Sequence, residues 1–157
     1  MPKFKRLSVS EAGHGSDSMK IKTSELSGIA LDYAVALCEG GTGLNFDTVA
    51  SWWITIAGRE VTFSKGWSDS QRFRPSHEWA HGGPIIERQS ICVLPPTVRR
   101  IGKERHAFAI DCWRAMVSAG EDELAIHGRG STPLLAALRC YVASKLGDEI
   151  EIPERLK

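Results

Sequence analysis

His77, Glu78 and His81 stand in H-E-x-x-H order within the run HEWAH at 77–81. Two imidazoles one helical turn apart can grip a zinc ion while the glutamate between them activates a metal-bound water. That chemistry needs a helix continuing past the second histidine, and here Gly82, Gly83 and Pro84 follow at once. Glycine costs a helix interior about 1 kcal/mol relative to alanine, and proline about 3 kcal/mol. A regular helix through HEWAHGGP is therefore not expected, and Pro84 is placed in the first turn of a short helix holding Ile85, Ile86 and Arg88. His106 and His127 are candidate third ligands, but neither lies in a motif that marks it as one. The expectation is no metal centre.

A second constellation has a different chemistry. The stretch HGRGSTP, 127–133, is expected as a loop entering the last helix. Helix N-termini offer unpaired N–H groups and a positive dipole end, which together attract phosphate or carboxylate. Arg129, Gly130, Ser131 and Thr132 are the candidate phosphate holders: a charged fork, a residue permitting close backbone approach, and two hydroxyls. A helix cap explains the hydroxyls equally well. The G-x-x-x-x-G-K-[ST] arrangement of a nucleotide hydrolase is missing.

Bases need stacking surfaces as well as phosphate donors. Of the five tryptophans, Trp67 and Trp79 lie in loop-like surroundings near Phe73 and Arg74. Trp79, Phe73 and Arg74 are candidates for the base or ribose region, with Gly82 and Gly83 letting the backbone approach. Loop and cap together would form one nucleotide-sized pocket. Neither a G-x-S-x-G elbow nor a recognisable nucleophilic cysteine is present, and no carboxylate pair is singled out by spacing, so binding without catalysis and without a cofactor is expected.

The elements that must position these residues belong to a chain of 157 residues, 42% hydrophobic and 25% charged, which suits one domain with a sizeable core. Twenty basic and nineteen acidic side chains leave a net charge of +1, so no global field marks nucleic acid or membrane as partner. Cys38, Cys92, Cys112 and Cys140 are scattered singly and fit free thiols in a reducing cytoplasm. No apolar run approaches the roughly 20 residues that span a bilayer.

Residues 1–18 are expected as a flexible arm and 19–157 as a single domain. Lys20–Thr23 suits a short strand, and Ser24 or Ser27 can cap a helix to Cys38 that Gly40 and Gly41 stop. A loop at 43–47 precedes strands over 52–56 and 60–63 joined through Gly58 and Arg59, and 65–75 reads as a polar surface loop. A strand over 91–94 is followed by a basic turn over 97–106 and a hairpin of 108–117 with 123–126. Leu134, Leu135, Leu138, Tyr141 and Val142 mark the last helix, which Gly147 ends before an acidic tail. The fold class is α+β: a small antiparallel sheet packed with two main helices and one short helix.

MKIKTSELSGIALDYAVALCEG at 19–40, PSHEWAHGGPIIERQSI at 75–91 and STPLLAALRCYVASKLGDEIEIP at 131–153 resemble, in this order, the NinX-like proteins of tailed phages. The middle motif of that family reads closer to P-S-T-D-W-A-Q-G-G-P-I-I-E-R. Trp79, Gly82, Gly83, Pro84 and Glu87 match it, while His77, Glu78 and His81 replace Thr, Asp and Gln. In motif style the chain is also similar to phage anti-defence sponges, which bind cyclic nucleotide immune signals, notably the glycocyclic ADP-ribose made by Thoeris TIR enzymes, without cleaving them. Some sponges also hold cyclic di- or trinucleotides and assemble as dimers or hexamers.

The resemblance implies a non-enzymatic homo-oligomer in the cytoplasm of the infected host that sequesters a cyclic nucleotide or ADP-ribose-derived small molecule. The alternative is a phage recombination or replication accessory that binds nucleic acid through Lys3, Lys5, Arg6 and the basic turn at Arg99–Arg105.

Overall fold

In chain order the computed structural model has β1 (Ser18–Lys22), α1 (Gly28–Cys38), β2 (Thr42–Phe46), β3 (Trp52–Ile56), β4 (Arg59–Thr62), α2 (Trp79–Arg88) and β5 (Cys92–Leu94). There follow β6 (Thr97–Ile101), β7 (His106–Ile110), β8 (Trp113–Val117), β9 (Ile126–Gly130), α3 (Pro133–Leu146) and β10 (Glu149–Pro153). The structure describes residues 18–46, 52–63, 71–101, 106–118 and 125–156. The arm expected over 1–18 lies outside these residues apart from Ser18, which opens β1.

The α+β class holds, with the strands divided among four antiparallel sheets, β1-β10, β2-β3-β4, β5-β8-β9 and β6-β7, instead of one. Helix α3 is central. The Thr132 hydroxyl accepts from Leu135 N–H at 3.1 Å, Pro133 occupies the first turn, and Gly147, at φ 94°, ends the helix. Its side chains are buried nearly all round, at Leu134, Ala136, Ala137, Leu138, Cys140, Tyr141 and Val142. A helix apolar over most of its circumference packs inside, and Arg139, Ala143 and Leu146 mark the side left to the cleft. Helix α1 lays Leu31, Ala34 and Val35 into the same core. Burying each large aliphatic side chain contributes about 1.5–3 kcal/mol.

The acidic tail expected at the C-terminus is instead strand β10, with Glu149 and Glu151 exposed and Ile150 and Ile152 buried. It pairs with β1 so that Lys20 faces Glu151 and Lys22 faces Glu149. Burial of Ile150 and Ile152 specifies that register, and the opposite charges across the pair favour it.

Three other expectations are corrected. The loop over 43–47 is in its described part strand β2, whose pairing with β3 is irregular between Thr42 and Asn45. Gly43, at φ 67°, supplies the positive φ that a bulge of this kind uses. The next hairpin turns at Ala57 and Gly58, both at positive φ, one residue before the expected pair. The basic turn over 97–106 is strand β6 as far as Ile101, paired with β7, and 102–105 lie outside the described residues.

The HEWAHGGP segment is also corrected. Helix α2 starts at Trp79 and runs through Gly82, Gly83 and Pro84. Pro84 and Ala80, whose carbonyl loses its N–H partner, both lie on the exposed side, whereas Gly82 and Ile85 are buried. The proline penalty therefore falls where water can offset it. Gly82 permits close packing: a Cβ there would stand 2.6 Å from the Pro75 carbonyl oxygen and 2.7 Å from Leu134 Cδ2.

Candidate ligand-binding cleft

Strand β9 is the edge of its sheet. Between it, α3 and the β1–β10 pair lies an open cleft of about 1010 Å³. Lys22 and Ser24 reach it from one side, with Glu149 directly across the strand pair from Lys22 and Asp148 next to it, Arg129 and Ser131 reach it from the other, and Arg139 reaches it from α3. Arg139 shapes this cleft: its Nε donates to the Leu26 carbonyl at 2.8 Å and a terminal nitrogen donates to the Arg129 carbonyl at 2.9 Å. Burial lowers its pKa from the usual guanidinium value. Thr23 completes the tie, its hydroxyl donating to the Gly147 carbonyl at 2.7 Å.

The expected loop 127–133 is for the most part strand β9, and its glycines have a different use. A Cβ on Gly128 would lie 2.2 Å from the Ala136 carbonyl oxygen, and one on Gly130 would lie 2.7 Å from Ala136 N. The backbone that approaches these glycines is that of α3. The helix end is also less open to an anion than expected. Pro133 has no N–H, Leu135 N–H is capped by Thr132, and Ala136 N–H bonds to the Thr132 carbonyl at 3.1 Å. The cationic and hydroxyl groups that line the cleft beside this helix end are those of Lys22, Arg129 and Ser131.

The aromatic group is built around α2. Trp79 is 55% exposed. Phe73 stacks on His81 with ring centroids 6.0 Å apart, and Arg74 pairs with Glu78 at 3.8 Å. Gly83 lies against the Trp79 ring, 3.6 Å from its Cβ position. The described lining of the cleft includes none of Phe73, Arg74, Trp79, Gly82 or Gly83, so the single combined pocket is not what forms. Gly82 joins the two regions only through the packing of α2 against Leu134 in the first turn of α3.

The H-E-x-x-H residues take protein partners. His81 Nδ1 accepts from Arg74 N–H at 3.1 Å, and His77 Nδ1 lies 2.7 Å from the Ser76 hydroxyl. Among the described residues no group of three His, Cys, Asp or Glu side chains could hold a metal ion. Trp67 lies outside the described residues.

Next to this turn the buried Asp32 accepts from Ser76 N–H at 2.8 Å. Burial pushes its pKa up to about 6, against the opposing pull of Ser76, His77 and Arg74. Of the cleft residues, Lys22, Ser24 and Arg139 escaped the sequence reading. The signal for Lys22 was the K-x-K of β1 facing the E-x-E of β10, a pairing that brings the end of β1 beside Gly147–Glu149.

A family model described as Bacteriophage P22, NinX matches residues 22–145, a span that takes in Lys22, all of α2, β9 and most of α3. No curated protein matches the chain.

Proposed function

The chain belongs to the Bacteriophage P22 NinX family, and we propose that it is a phage anti-defence sponge that holds a cyclic nucleotide immune signal in the cleft without cleaving it. The observation that carries this reading is the cleft itself: about 1010 Å³, with Lys22, Arg129 and Arg139 set against the hydroxyls of Ser24 and Ser131. That volume lies at the upper end of ligand pockets, roughly 300–1,000 Å³, and admits a ligand with two riboses and two phosphates. Two phosphates with separated cations and hydroxyls fit glycocyclic ADP-ribose or a cyclic dinucleotide.

A protein that binds without chemistry must hold its ligand tightly, near nanomolar or about 12 kcal/mol. An open cleft reaches this when a second copy closes over it, so the working form is a homo-oligomer in the host cytoplasm. Trp79 is the large apolar side chain available on α2 for such an interface or for ligand stacking.

The test is capture and release. The purified chain is incubated with a panel of cyclic nucleotide signals, freed of unbound ligand, and heat-denatured. Release of an intact signal supports the sponge, and a processed product indicates an enzyme. No retained ligand across the panel defeats the proposal.

A further inference from the structure

The sheet β5-β8-β9 has two unlike faces. One is covered by α3, against which Ala115, Gly128 and Gly130 are buried. On the other, the register sets Leu94 opposite Arg114 and Arg114 opposite Arg129, with Cys92, Met116 and His127 forming the next row. Like charges directly opposite each other on adjacent strands repel. Selection for stability alone would oppose an arginine with a carboxylate. Among the described residues no ion pair joins Arg114 or Arg129 to a carboxylate.

Among the described residues the Arg114 Nε is also buried without a hydrogen-bond partner. An unpaired buried donor on a charged group is costly, and native structures keep few of them. The same face forms a pocket of about 320 Å³, lined by Leu94, Arg114, Met116, His127, Gly128 and Arg129.

We propose that this face is a second anion site, centred on Arg114, that takes the phosphoryl group of a phosphorylated small molecule. The planar guanidinium can present two parallel N–H groups to a phosphate, with Arg129 alongside and Leu94 and Met116 flanking the apolar part of the ligand. Arg129 lines both this pocket and the large cleft, whereas Arg114 lines only this one. Arg114 is therefore the residue whose substitution separates this site from the cleft.

The test titrates inorganic pyrophosphate into the full chain at ionic strength matched with sodium chloride, by calorimetry and by thermal unfolding. Wild type should bind and be stabilised. Arg114→Gln should weaken binding by about tenfold or more, the loss of a charge-assisted bidentate contact. Arg114→Lys should fall between them, keeping the charge and losing the fork. Lys20→Gln, on β1 and lining neither pocket, should bind as wild type does. Without ligand, Arg114→Gln should melt no lower than wild type, because it removes a repulsion and breaks no pair. Equal affinity in wild type and Arg114→Gln overturns the proposal, as does an absence of pyrophosphate binding in wild type. A lower melting temperature for unligated Arg114→Gln would assign Arg114 to structure and likewise overturn it.

Discussion

Glycine carries opposite meanings in this chain that the letter alone does not separate. Gly130 reads as a place where a ligand meets backbone, and its small size, with that of Gly128, lets α3 lie directly on β9. Gly128→Ala should cost more than about 3 kcal/mol in denaturant unfolding, since its Cβ would meet helix backbone on two sides and the backbone cannot yield as a side chain can. At α2, His81 acts as an acceptor for Arg74 N–H and as a stacking partner for Phe73. His81→Gln keeps a polar atom able to accept, so a loss of about 1 kcal/mol or less is expected, with ligand capture retained. Trp79 is more than half exposed, so Trp79→Ala should leave stability within about 0.5 kcal/mol. Its capture of ligand should nonetheless fall, and unchanged capture would remove Trp79 from the site.

At the scale of elements, legibility followed local chemistry. The cap at Thr132, the stop at Gly147 and the apolar spacing of α1 and α3 could be read because each is set within one or two turns. Strand β10 and its pairing with β1 were missed although the alternation of Glu and Ile was visible, because the pairing joins the two ends of the described chain. The cleft inherits that difficulty: Lys22 and Arg129 meet only through a long-range pairing and the packing of a helix.

Asp32 makes another long-range contact, tying α1 to the turn before α2. Its folded pKa of about 6 lies above the ordinary 3.8. The folded chain therefore binds the proton more tightly than the unfolded chain, and the stabilisation is fully present below pH 3.8 and lost as pH rises through about 6. Its contribution over that window is about 3 kcal/mol at most. Urea unfolding of wild type and Asp32→Asn at pH 4 and at pH 7 checks this. Relative to the variant, wild type should lose stability between the two, and parallel curves would contradict the assignment.

For the whole molecule, the family match and the α+β architecture agree with the reading from sequence, while the position of the site changed. The expected pocket combined the aromatic segment with the α3 cap. The structure separates an open cationic cleft from an exposed aromatic face on α2. Under the proposed function this separation suits an oligomer, since a second copy could bring Trp79 to the first copy's cleft. Sedimentation of the free and ligand-bound chain should then show one species larger than a monomer, more stable to dilution with ligand. A strictly monomeric chain in both states would require the cleft to close by itself.

The central claim is that the cleft around Lys22 and Arg129 holds a cyclic nucleotide signal. The most direct measurement is calorimetric titration of glycocyclic ADP-ribose and a cyclic dinucleotide into wild type and Lys22→Gln, each with its folded state verified. Wild type should bind at least one of them near nanomolar Kd and return it intact, with Lys22→Gln weaker by about tenfold or more. Binding that is absent in wild type, or equal in the two proteins, would contradict the account.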